Sequence, residues 1–397
     1  MRAPYPPKPT PFGKDLRPWW GLDPELTYLN HGTVGACPLP VLAAQEQLRR
    51  RIQGNPARWL LRELSDLGSP DSPPLLRQAA AQVARHLGSL GQDLVFVDNA
   101  TTGVNAALRS AELRPGDEVL ITDLGYGSVT LAARRICKER GADLRIAHLP
   151  VPLHSGLQAL EALEAAFGPK TRLLITDHVT SETALVLPVK DISALAHRRG
   201  IQVIVDGAHA PGSFALNIPA LGADWYAANL HKWAFAPLGC AILWVDPRWQ
   251  ARTEHPIASW GEERSFQLRF DWVGTKDPTP FLCAPEGFRF LEALGSEATW
   301  RYTSELAWSS AQQLTQRWGL PFLSERSLVG PMVSVPLPKA LGQEAPDAKR
   351  LQGQLQRQGI EVPIKALAGQ LWARLSLAPY CDAEDVSRFA DAVESSV

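Results

Sequence analysis

Apolar and polar positions follow two different rhythms along this chain. Between residues 94 and 245, short apolar runs recur at 94–97, 119–122, 144–147, 172–176, 201–205 and 241–245. Runs this short and continuous, many of them rich in β-branched residues, predict strands buried on both faces. Segments with apolar residues at helical spacing separate several of them, at 127–140, 157–167 and 192–199. Strand alternating with helix implies a parallel sheet with crossover helices.

Beyond Pro285 the rhythm changes. Helical patterns at 288–294, 305–318, 348–358 and 383–393 accompany short strands at 333–335, 360–362 and 372–376. That mixture predicts a smaller α+β unit. At the start, residues 1–20 read as an irregular arm, 26–29 as a short strand and 40–51 as a helix. A helix from Leu75 to Leu87 is expected behind a cap at Ser72, with Pro73 at its first position. The expected fold class is therefore α/β: a large domain with a mainly parallel sheet, plus a smaller α+β C-terminal domain. The expected division is an arm over 1–30 that joins the small domain, a large domain over 31–280, and the small domain over 281–397.

Composition narrows the partners. With 397 residues, 45% of them hydrophobic, the chain can bury cores for two such units. A net charge of −1 offers no basic excess for nucleic acid or an anionic membrane. Apolar runs fall well short of the roughly 20 residues needed to span a bilayer. Five scattered cysteines without a CxxC pair argue for a reducing compartment and against a zinc site or a disulfide frame. The proline-rich start lacks the apolar core of a signal peptide, so a cytoplasmic location is expected and no metal is.

The chemistry gathers at strand ends. The run at 203–205 ends in Asp206, followed by Gly207-Ala208-His209. Further on, Asn229-Leu230-His231-Lys232-Trp233 sets a lysine between a histidine and a tryptophan. A lysine so placed is partly desolvated, its amine pKa falls, and it can act as a Schiff-base nucleophile. An acid on one strand end and such an amine nearby suit pyridoxal 5′-phosphate: the acid holds the pyridine nitrogen protonated and the lysine carries the aldehyde. Taken singly, Asp206 can be a strand-end cap and Lys232 a surface residue. The start Asn99-Ala100-Thr101-Thr102-Gly103 of a further helix supplies a phosphate cradle, because free amides and the helix dipole attract an anion there. An ordinary threonine cap is the plain alternative.

Asp206-Gly207-Ala208-His209 and Asn229-Leu230-His231-Lys232 resemble the class V aminotransferase family, which are fold-type I pyridoxal phosphate enzymes. The opening Pro11-Phe12-Gly13, Trp20, Leu22-Asp23-Pro24 and Tyr28-Leu29-Asn30-His31-Gly32 most resembles its isopenicillin N epimerase-like branch. The resemblance implies Thr101 and Thr102 at the phosphate, Tyr126 stacked on the ring, His209 toward its phenolic oxygen, and Ser181 touching cofactor or substrate. Asn229 and His231, close to the cofactor lysine in the matching motif, are implied as cofactor contacts. Asn30 and His31 are implied on the substrate side. Gly274-Thr275 is implied to reach the phosphate of a neighbouring subunit, which makes the enzyme a homodimer with shared sites. Arg374, on the alternating strand Trp372-Ala373-Arg374-Leu375-Ser376, resembles the family's carboxylate-binding arginine, whose planar fork grips a carboxylate at two points.

The region over 357–369, which corresponds to the cysteine-bearing loop of cysteine desulfurases, holds no cysteine, so their thiolate is missing there. One set of first steps leads to epimerisation, transamination or C–S lysis of an amino acid, and Tyr126, His31 or a water could serve as an acid on the opposite face. A non-catalytic pyridoxal-fold binding protein is the alternative of another class; the presence of Lys232 weighs against it. A dinucleotide-binding dehydrogenase is weakened by the lack of a GxGxxG motif.

Overall fold

The computed structural model describes residues 5–6, 11–67, 73–322 and 324–396. The cap expected at Ser72 and parts of the proline-rich arm lie outside the described residues. Chain order gives β1 (Thr27–Tyr28), then β2 (Leu94–Val97), β3 (Glu118–Thr122), β4 (Asp143–Ala147), β5 (Thr171–Asp177), β6 (Gln202–Asp206), β7 (Trp225–Asn229) and β8 (Ala241–Val245). The last four are β9 (Met332–Pro336), β10 (Ile360–Glu361), β11 (Ile364–Leu367) and β12 (Gln370–Ser376).

Strands β2 to β8 form one sheet in the order β2-β8-β7-β6-β5-β3-β4. Strands β3 to β7 pair in parallel, and β8 runs antiparallel to both of its neighbours. Successive side chains face opposite sides of a strand, and here each side has its own core. Leu120, Leu174, Val203, Val205, Tyr226 and Ile242 join one cluster. Val119, Ile121, Leu173, Ile175, Ile204, Trp225 and Leu243 join another. With both faces covered, each such Val, Leu or Ile contributes about 1.5–3 kcal/mol of apolar burial. That is why these runs read as continuously apolar.

A three-stranded sheet, β11-β12-β9, is antiparallel throughout and belongs to a third core with the helices Ser296–Arg317, Ala345–Arg357 and Ala383–Glu394. The N-terminal arm packs into the same core through Leu16, Trp20 and Leu29. Phe12 stacks on Tyr302 at 4.7 Å, and the Gly13 amide donates to the Pro379 carbonyl. Strand β1 then pairs in parallel with β10.

Several elements differ from the sequence pattern: the helix expected over 305–318 begins at Ser296, and the pattern does not predict the strand Ile364–Leu367. Strand β7, Trp-Tyr-Ala-Ala-Asn, has no β-branched residue; it is extended because β6 and β8 hydrogen-bond it from both sides. The helix Ala284–Leu294 starts ahead of Phe288, because Pro285 is tolerated in its first turn. No helix among the described residues is long and apolar enough to cross a membrane.

Candidate active site

The carboxyl ends of β3, β5, β6 and β7 open on a cleft of about 1030 Å³. Ligands of open parallel sheets bind at such ends. Its walls carry Asn30, Thr101, Thr102, Tyr126, Ser181, Asp206, His209, Asn229, His231, Lys232 and Arg374. The structure thus gathers eleven of the residues singled out above around one space.

Lys232 lies just past β7 and is 8% exposed. Burial pulls its amine down to about 8, against the pull of the Asp206 charge. The Nζ sits 3.3 Å from His209 Nε2. Burial holds His209 well below its usual range, and the Lys232 charge adds to that. His209 Nδ1 is buried without a protein partner, which leaves it for a bound group.

The backbone that carries Lys232 is clamped. A Cβ on Gly35 would meet the His231 carbonyl oxygen at 2.2 Å, and one on Gly212 would meet that of Trp233 at 2.2 Å. Both glycines also have φ in the left-handed region, +72° and +85°. Gly287 presses on the Ala234 carbonyl in the same way. Phe235 adopts φ 56°, a conformation uncommon outside glycine. Three remote segments therefore seat one short stretch of chain.

Asp206 ends β6 and is 4% exposed. One of its oxygens accepts from the Ala208 amide at 2.9 Å. Its strand neighbour in register is Asp177 at the end of β5. Burial raises both carboxyls, and the Asp206 charge raises Asp177 further. Like charges this close do not both ionise readily without a cation. A protonated pyridine nitrogen would supply such a cation. Asp177 also lines the cleft. Sequence reasoning passed over it because the apolar run was ended at Thr176, one residue early; the signal was an acid closing that run, as one closes β6.

The helix Ala100–Ser110 begins at the cleft, and its cap is Asn99, whose side chain accepts from the Thr102 amide. The Ala100 amide is held by Asn229 Oδ1 at 2.8 Å. Thr101 and Thr102 are thus first-turn residues beside the cleft; the Thr102 hydroxyl donates to Asn99 Oδ1 at 3.2 Å, which leaves the Thr101 amide and hydroxyl for an anion. His231 lines the cleft beside Lys232, its Nδ1 donating to the Cys240 carbonyl at 2.9 Å. Tyr126, 47% exposed, precedes the helix Gly127–Arg140.

Arg374 projects from β12 and is 7% exposed. It donates to the Ser181 carbonyl and, at 2.6 Å, to the Thr33 hydroxyl, and its Nε is buried without a partner. Burial lowers its pKa to about 10. A buried guanidinium with an unmet donor is costly alone and suits an incoming carboxylate.

Two residues stand apart from this cleft. His31 is fully buried behind it; Nε2 donates to the Lys232 carbonyl at 3.1 Å and Nδ1 accepts from Tyr380 at 2.9 Å. Burial takes its pKa to about 4. It anchors the lysine's backbone rather than lining the substrate space. Thr275 lies on a neighbouring cleft of about 520 Å³, which shares Thr101 and Thr102 with the first. His178 is a satisfied core histidine, bonded to Tyr226 at 2.7 Å.

The fold and site define a class of enzyme built around a buried lysine and a strand-end acid, and comparison with known proteins agrees. The aminotransferase class V family model matches residues 27–389, and the chain belongs to that family. It is 33% identical to an isopenicillin N epimerase of Amycolatopsis lactamdurans, over 94% of this chain and 96% of that protein. It is 29% identical to a probable chloroplastic L-cysteine desulfhydrase of Arabidopsis thaliana, over 94% of this chain and 84% of that protein. A cysteine desulfurase of Thermococcus onnurineus shares the fold at a TM-score of 0.80 and 19% identity, covering 97% of this chain and 98% of that one.

The residues present fit pyridoxal 5′-phosphate. An amine of lowered pKa, a buried carboxyl with no cation within ion-pair distance among the described residues, an unpartnered imidazole nitrogen and a helix start with free donors surround one space of adequate size.

Proposed function

We propose that the chain is a pyridoxal phosphate-dependent enzyme acting at the α-carbon of an amino acid, in the manner of an isopenicillin N epimerase. The carrying observation is that one cleft holds both a buried lysine of lowered pKa and a buried arginine with an unmet donor. Bound pyridoxal phosphate supplies an aldehyde for an amine and a protonated ring that takes up the electron pair left at the α-carbon. Asp206 holds the ring nitrogen protonated. Thr101 and Thr102 receive the phosphate, and His209 Nδ1 faces the ring's oxygen. Arg374 grips the α-carboxylate, and Lys232 Nζ removes the α-proton. Tyr126, at the cleft, stacks on the ring and is placed to return a proton from the other face; buried His31 is not. The test is to incubate the loaded enzyme with L- and D-amino acids and β-thio amino acids, following optical inversion, keto acid, ammonia and sulfide together. No response to any amino acid would sink the reading.

Elimination of a β-thiolate is a second outcome of the same site. It is favoured by the likeness to a cysteine desulfhydrase and disfavoured as persulfide chemistry, because the stretch 357–369 lacks a cysteine. Sulfide release from L-cysteine, without inversion of any amino acid, would select it.

Arg374→Lys keeps the charge and loses the two-point grip. We expect KM for the amino acid to rise about tenfold, and kcat to fall because the Cα–H bond is no longer aligned. The matching amine without a carboxylate should be nearly indifferent to the change. Equal losses for both would make Arg374 structural.

The same reading takes residues 31–280 as the cofactor-binding domain and 281–397 as the second domain, with the arm over 1–30 joined to the latter. It places the enzyme in the cytoplasm, supported by five free cysteines. It also makes the enzyme a homodimer in which Gly274-Thr275 of one copy completes the phosphate site of the other. Thr275 borders the space beside Thr101 and Thr102, and Leu131, Ile257 and Trp260 are exposed at 63%, 56% and 80%. Sedimentation should show a dimer. A monomer with full cofactor occupancy and activity would end that part of the reading.

A further inference from the structure

Arg374 is joined to a distant carboxylate by a directed chain of hydrogen bonds. Its guanidinium donates to Thr33 Oγ1. Thr33 passes its own hydroxyl hydrogen to Asn30 Oδ1. The Asn30 amide then donates to Glu361 Oε1 at 3.3 Å. Every donor points the same way, from the cation toward the anion, so the bond dipoles add. The second oxygen of Glu361 is held by Gln356 Nε2 at 3.3 Å.

The backbone explains why these residues meet. Pairing of β1 with β10 puts Tyr28 opposite Glu361, and a bridge sets Asn30 against Ser376 at the end of β12. Asn30 is therefore wedged between the strand that carries the acid and the strand that carries the arginine. No carboxylate among the described residues lies within ion-pair distance of Arg374. Glu182, which acts on it electrostatically, is instead paired with Lys365 at 3.1 Å near the cleft mouth, with both side chains over 40% exposed. Water and the paired lysine screen that charge.

We propose that Thr33, Asn30 and Glu361 form a positioning relay that fixes the plane of the Arg374 fork, and so sets the preference for substrates carrying an α-carboxylate over amines lacking one. The inference rests on Arg374 being the carboxylate anchor. The relay and the Ser181 carbonyl each hold one terminal nitrogen, which leaves the fork no freedom to rotate away. Asn30, expected to touch substrate, acts through Thr33.

The test is equilibrium binding to the cofactor-loaded full chain, read from its absorption change. The ligands are the amino acid with the largest response in the panel above and its decarboxylated amine. Thr33 is exposed on the cleft wall, so Thr33→Val leaves the cores intact. It should weaken the amino acid on the order of tenfold, as for a lost hydrogen bond to a charged group, and leave the amine within about twofold. Glu361→Gln should act in the same direction and less. Thr33→Ser, which keeps the hydroxyl, should restore the affinity. If Arg374→Lys separates acid from amine and Thr33→Val does not, the relay is overturned and the anchor stands. If Arg374→Lys fails to separate them, or the wild type responds to no amino acid, the anchor falls and the relay with it. Equal weakening of both ligands by Thr33→Val also overturns the relay.

Discussion

Lys232→Ala should lower turnover by roughly five powers of ten, about 7 kcal/mol of barrier, because it removes both the cofactor's anchor and the base at the α-carbon. Borohydride treatment of the loaded wild type, followed by peptide mapping, should fix the pyridoxyl group on Lys232. Finding it on another lysine would refute the assignment. The cofactor-free variant should also be more stable than the wild type at pH 7. Burial lowers the Lys232 pKa from 10.5 to about 8, so between those values the unfolded chain binds the extra proton. Stability of the wild type therefore rises as pH climbs from 8 toward 10.5, and below 8 the full penalty, on the order of 3 kcal/mol, is present. The variant's thermal advantage should be largest below pH 8 and shrink above it. Neutral amine is the nucleophile, so cofactor uptake by the free wild-type protein should quicken as pH rises through about 8.

Asp206→Asn should leave the cofactor bound and lower turnover by three to four powers of ten, about 4–5 kcal/mol. Asparagine keeps the shape and the acceptor for the Ala208 amide, but no longer holds the ring nitrogen protonated. The electron pair at the α-carbon then has a poorer sink. The absorption of the loaded variant should shift while its cofactor content stays near one per chain. A rate close to wild type would remove Asp206 from the mechanism. Without cofactor, the variant should melt higher above the usual carboxylate range. Burial raises the Asp206 pKa, so stability falls as pH rises from the unfolded value through the folded one, and the neutral amide escapes that loss.

Much of this site was legible because buried parallel strands announce themselves. The run ending in Asp206 is apolar since both faces of β6 are covered, and the single acid at its end has nowhere to point but the crevice. Lys232 was marked instead by its neighbours His231 and Trp233, and the threonine pair by the family resemblance. Strand β7 was missed because its two alanines and asparagine disfavour a strand and outweigh the two aromatics; two neighbours impose it. His31 and Asn30 sit side by side in sequence, yet one turns into the core behind the lysine and the other joins two sheets. No spacing rule separates them, since the difference arises from the pairing of β1 with β10. Glu361 and Arg374 lie on different strands, so their connection through Thr33 exists only once both strands are docked on the arm.

The three glycine contacts on residues 231–235 come from the N-terminal stretch, the loop after β6 and the helix Ala284–Leu294. Each leaves no room for a side chain, so the lysine reaches its place only when all three segments have closed on it. Uptake of the yellow cofactor is then a gauge of assembly quality: a chain mis-docked at any one of them should remain colourless even where its sheets are intact. Expression screens of variants far from the cleft can use that colour as their readout.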